Sequence, residues 1–68
     1  MVNTDLLDKR IEESGLKISF LIEKLGLSRN GFDKKRRGIN QFRVAEVYVI
    51  CDLLKLSDED RNSIFYAN

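Results

Sequence analysis

The stretch Ile18-Ser19-Phe20-Leu21-Ile22-Glu23-Lys24-Leu25-Gly26-Leu27-Ser28-Arg29-Asn30-Gly31-Phe32 decides how this chain folds. Ile18, Leu21, Ile22 and Leu25 recur at i, i+3, i+4 and i+7, which puts them on one face of a helix. Gly26 interrupts the pattern, and glycine adopts the left-handed backbone of a tight turn without steric cost. Leu27 follows as an apolar plug, and Ser28 is a good N-cap for another helix. Leu21, Ile22 and Leu25 on one side then face Leu27 and Phe32 on the other. The spacing predicts two helices, over about 18–25 and about 29–37, packed at a steep angle across a short turn. The later helix is weak by propensity, because Asn30 and Gly31 are poor formers and Phe32 is its one large apolar residue. Gly38 ends it.

Outward from this pair the chain keeps helical spacing. Leu6, Leu7 and Ile11 make the stripe of a first helix over about 4–14, capped by Asn3 or Thr4 and stopped at Gly15. A loop, Ile39-Asn40-Gln41-Phe42, leads to a fourth helix over about 43–54. Val44, Val47, Tyr48, Cys51 and Leu54 form one face of it, widened by Val49, Ile50 and Leu53, so it should be the most buried element. Ser57 with Asp60 fits a capping box, opening a fifth helix from 58 to 65 or 66 with Ile64 and Phe65 apolar. No strand alternation or repeat interrupts this. The expected class is all-α: five short helices in one domain spanning 1–68.

At 68 residues the core is barely sufficient, so every helix should contribute to a single cluster. The apolar run Val47–Cys51 is far too short to span a bilayer. The opening Met1-Val2-Asn3-Thr4-Asp5 lacks the regions of a signal peptide, so the default expectation is cytoplasmic. Cys51 has no internal disulfide partner and reads as a small buried hydrophobe. With one cysteine and no histidine, no zinc site, other metal or cofactor is expected. There is no nucleophile–base pair and no glycine-rich phosphate loop, so neither an enzyme nor a small-molecule ligand is expected. An aromatic platform for RNA is also missing.

The formal charge of +1 hides an asymmetry. Residues 1–28 carry four basic and five acidic groups, and residues 44–68 carry two basic and five acidic. Residues 29–43 carry Arg29, Lys34, Lys35, Arg36, Arg37 and Arg43 against Asp33 alone. A charge run by itself fits a solvated helix face. Placed directly after the Gly26 turn, it fits a polyanion site better.

In a helix-turn-helix the second helix enters the major groove, N-terminal end foremost. With Phe32 turned inward, Arg29, Asn30, Asp33 and Lys34 point outward as candidate base readers. Their chemistry matches base edges, since Arg or Lys bonds guanine O6 and N7, and Asn pairs bidentately with adenine. Lys35, Arg36, Arg37, Asn40 and Arg43 would flank the duplex and meet phosphates, as would the helix start near Lys17 and Ser19. Gly31 either lets the backbone approach the groove or only lowers helix stability.

Three stretches together resemble the lambda repressor-like domains of the Cro/C1 (Xre) type, known from phage and mobile-element regulators. They are Ile18–Arg37, the phrase Ile11–Lys17 before it, and the tail Ile50–Arg61 with Ile64 and Phe65, so the likeness spans nearly the whole chain. The resemblance implies a five-helix bundle, double-stranded operator DNA as partner, and a homodimer on a palindromic site. It implies base reading by Arg29, Asn30 and Lys34, and phosphate contacts at Ser19 and Gly38–Arg43. Three positions depart from the family pattern. Ile18 stands where Gln is frequent, and Ile22 where a small residue is common. Lys35 and Arg36 stand where an apolar residue is usual; either one buries its stem and snorkels its charge, or the helix ends early.

The cluster Ile64, Phe65 and Tyr66 is the expected self-contact of a dimer, since so short a helix cannot bury all of it. The competing function is a protein-interaction module, an antirepressor or adaptor that binds another regulator, motivated by the acidic fifth helix and the apolar Phe65-Tyr66 end.

Overall fold

Asn3 starts the first helix by accepting a hydrogen bond from Leu6 N–H at 3.1 Å through its side chain. The computed structural model describes residues 1–66. Five helices follow in chain order: α1 (Thr4–Ser14), α2 (Ile18–Leu25), α3 (Arg29–Arg36), α4 (Val44–Leu54) and α5 (Asp58–Phe65), with no strand among the described residues. No helix among them is long and apolar enough to cross a membrane. Helix α3 is slightly shorter than expected, with Arg37 as its C-cap, and Arg43 is the N-cap of α4 rather than its first residue.

The caps explain where most helices begin and end. Ser28 Oγ accepts from Gly31 N–H at 2.9 Å, and Ser57 Oγ accepts from Asp60 N–H at 3.0 Å. Each such cap is worth about 1 kcal/mol. Gly26 closes α2 with φ of 70°, as the turn requires. Lys55 closes α4 in the same left-handed region, at φ 57°, without glycine's freedom.

One core joins the five helices: Leu7 and Ile11 from α1, Leu21 and Ile22 from α2, Phe32 from α3, Val47, Ile50 and Leu54 from α4, and Ile64 and Phe65 from α5. Helix α4 packs against α1, α2 and α5, and α2 packs on α3. The buried face of α4 is only part of the expected one. Val47, Ile50 and Leu54 are buried, whereas Val44 is 63% and Tyr48 60% exposed. Apolar residues run almost all round this helix, so periodicity leaves its rotation open and the neighbouring helices settle it. Cys51 lies half-buried beside the core, and burial pushes its thiol pKa up, which suits an inert apolar role.

Two edge-on aromatic contacts tie the fold across the α3–α4 loop. The rings of Phe32 and Phe42 sit 6.2 Å apart, and those of Phe42 and Phe65 5.5 Å apart. Such pairs add about 0.5–1.5 kcal/mol each beyond burial. The N-terminus is fastened to both ends of this chain of rings. Asn3 N–H donates to Ile64 C=O at 2.6 Å, and Thr4 Oγ1 to Arg36 C=O at 2.6 Å.

Because Lys55 occupies a left-handed position, Lys55→Gly is expected to raise stability by about 0.5–1 kcal/mol. Urea unfolding followed by circular dichroism checks this; a lower midpoint would count against the strain.

Candidate nucleic-acid interface

Burying Phe32, 2% exposed, fixes the rotation of α3. The opposite face then carries Asn30 and Lys34, both exposed; Arg29, one turn before Phe32, is exposed at the edge of that face, and Arg37 is exposed just beyond the helix. These positions follow i, i+1, i+5 and i+8 and so form one strip along the helix. A Cβ at Gly31 would meet Ser28 Oγ at 3.0 Å, so the glycine leaves the α3 cap uncrowded. This local reason for Gly31 is separate from groove approach and from lowered helix stability. Arg29, Lys34 and Arg43 make no ion pair among the described residues.

The rest of the basic run divides differently from the expectation. Lys35, a candidate phosphate contact by sequence, donates its ammonium to both oxygens of Glu46, at 2.7 and 2.9 Å, with side-chain exposures of 13% and 10%. It lies one helical turn from Phe32 and therefore faces inward. Arg36, also expected at phosphate, bridges Asp8 of α1 at 2.8 Å and Asp33 at 2.9 Å. Asp33, expected among the readers, uses its second oxygen on Arg37 at 3.2 Å. It therefore organises two arginines and presents little free acceptor to a base edge. Its hydrogen bond from Arg36 leads the causes that hold its carboxyl below the usual carboxylate range.

The flanking segments remain open. Lys17 and Ser19 are exposed at the start of α2, and no side chain caps that helix. Phe20 N–H donates to Lys17 C=O at 3.1 Å, which leaves the first-turn N–H groups of Ile18 and Ser19 to meet an anion. Asn40 is exposed in the α3–α4 loop, where the N–H groups of Ile39 and Asn40 donate to Lys34 C=O at 2.9 and 3.3 Å. The Arg43 side chain is exposed while its N–H donates to Glu46 Oε1 at 2.8 Å.

Glu46 escapes a reading of the sequence that looks only for cations. The signal is present: an acid three residues after an N-cap, as in a capping box. Burial pushes its carboxyl pKa up, but Lys35 and the Arg43 N–H outweigh this and hold it below its ordinary value.

The expected dimer contact also needs correction. Ile64 is fully buried and Phe65 is 7% exposed, so both belong to the core and only Tyr66, 53% exposed, is available. Pairing of α5 with α1 and α4 buries what its short length alone could not. Other large exposed apolar residues lie elsewhere, including Ile39 in the loop and Val44 and Tyr48 on α4.

Asp33 and Glu46 both have folded-state pKa values below their unfolded ones. Their contribution is therefore complete above the ordinary carboxylate range, about 4, and is lost as pH falls through the lower folded values. The urea midpoint is expected to hold level from about pH 7 to 5 and to drop below about 4. A midpoint that rises on acidification would contradict the assigned pairs.

Comparison with protein-family models, with curated proteins and with solved structures returned no match.

Proposed function

We propose that this protein is a sequence-specific regulator that binds double-stranded DNA, with a lambda repressor-like helix-turn-helix of the Cro/C1 type. The observation that carries the reading is the outward strip of α3. Arg29, Asn30 and Lys34 are exposed on one face of a capped helix that follows a glycine turn, and the two cations make no ion pair among the described residues. A strip of this kind matches the donor and acceptor pattern of base edges in the major groove. Lys17, Ser19, Asn40 and Arg43 flank it in the role of phosphate contacts, which supply register and sequence-independent affinity. Arg37 joins them through whichever of its donors Asp33 leaves free. Lys35 and Arg36 hold α3 in place instead. One such helix makes few base contacts, and a homodimer on a palindromic site doubles them.

A second reading is favoured by Val44 and Tyr48, apolar, exposed and one turn apart on α4: a module that binds another regulator through this face. The two readings separate by salt. Duplex binding through several phosphates falls steeply as salt rises, whereas an apolar contact does not.

Selection from random duplexes, followed by binding at stated salt, tests the proposal. Arg29→Ala and Asn30→Ala are each expected to cost about 1–3 kcal/mol on the selected site and much less on random DNA. Arg43→Ala is expected to weaken all sequences alike and to flatten the salt slope by about one unit. Absence of duplex binding at low salt removes the DNA reading. Equal losses on selected and random sites remove Arg29 and Asn30 as readers.

A further inference from the structure

The geometry points to Glu46 as a positioning residue that ties the Arg43 phosphate contact to the recognition helix, an inference that rests on the DNA-binding reading. A single carboxylate oxygen, Oε1, accepts from Lys35 Nζ at 2.7 Å and from Arg43 N–H at 2.8 Å, while Oε2 accepts from Lys35 at 2.9 Å. Glu46 thus joins the last turn of α3, the end of the α3–α4 loop and the first turn of α4. Among the described residues it is the one buried charged side chain, 8% exposed.

Stability alone gives a weak reason for such a pair. Burying two charges is often no better than packing apolar residues of similar volume. What an ion pair adds is geometry, because both partners must stay in one arrangement for their charges to remain satisfied. The α3–α4 loop is held at its other end by Lys34 C=O, which accepts from Ile39 and Asn40 N–H. Lys34 is an exposed candidate reader, and its neighbour Lys35 carries the second anchor. The Arg43 side chain makes no ion pair among the described residues, but its backbone is fixed relative to α3. Base-reading and phosphate-gripping groups therefore move as one unit, although Glu46 touches neither base nor phosphate.

The test uses the double variant Lys35→Met/Glu46→Gln. It removes both charges together, so no buried charge is left alone, as it would be in Glu46→Gln. Its glutamine still offers an oxygen to Arg43 N–H, and only the tie to α3 is cut. Binding to a random-sequence duplex is measured for the wild type, Arg43→Ala, the double variant and the triple variant. In the wild-type background, Arg43→Ala is expected to lower the salt slope by about one unit. In the double-variant background the same substitution is expected to change affinity by about twofold or less and to leave the slope unaltered. Equal losses in both backgrounds, or no loss in the wild type, overturn the inference.

Hydrogen exchange supplies a readout independent of DNA. The amides of Ile39 and Asn40 are expected to exchange about tenfold faster in the double variant, with those of Leu21 and Ile50 unaffected. Unchanged loop exchange overturns the positioning role. Failure of the wild type to bind duplex, with loop exchange accelerated as expected, instead removes the DNA reading and leaves the α3–α4 tie standing.

Discussion

Helix α3 consists of Arg29, Asn30, Gly31, Phe32, Asp33, Lys34, Lys35 and Arg36, so its apolar attachment to the core depends on one side chain. The other residues are polar or lack a side chain, and several disfavour the helix itself. Phe32 supplies the hold by being buried in the common core and by meeting the Phe42 ring, which in turn meets Phe65. Its burial also fixes a rotation. Once Phe32 points inward, the positions one turn on, Lys35 and Arg36, lie on or near the protein side and Asn30 and Lys34 face out, while Arg29, one turn before Phe32, is exposed at the edge of that face.

That rotation converts a uniform run of positive charge into two populations. Lys35 and Arg36 meet carboxylates from α4 and α1, which turns potential ligand contacts into internal struts. The Lys35–Glu46 pair is little exposed and so is screened less than a surface pair. Arg29, Lys34 and Arg43 remain outside, where their charge is available to a polyanion. The positive field of the run is correspondingly smaller than its composition implies, but better aimed. Asp33 contributes to both populations by holding Arg36 inward and Arg37 at the rim.

Much of this is legible in residue order. Helix boundaries follow from local chemistry: Asn3, Ser28 and Ser57 cap because their side chains reach nearby amides, and Gly26 turns because its backbone can. The turn chemistry of 25–28 and the apolar spacing of 18–25 place α2 and α3 next to each other. The outward strip Arg29, Asn30 and Lys34 follows from a single assumption, that Phe32 faces the core. Less legible is α4, whose apolar residues surround it, so that spacing points Val44 and Tyr48 to the core while they lie exposed instead. The α5 end errs the other way, because the coverage of Ile64 and Phe65 comes from α1 and α4.

The sequence by itself determined, to within a residue, where the five helices of the described residues start and stop, and which residue types flank the turn. All of these depend on interactions within a few positions along the chain. The tertiary structure alone decided which cations are free. Lys35 finds Glu46 across eleven positions and Arg36 finds Asp8 across twenty-eight. No local pattern encodes such distant partners, because they meet only when α1, α3 and α4 have packed on the same core.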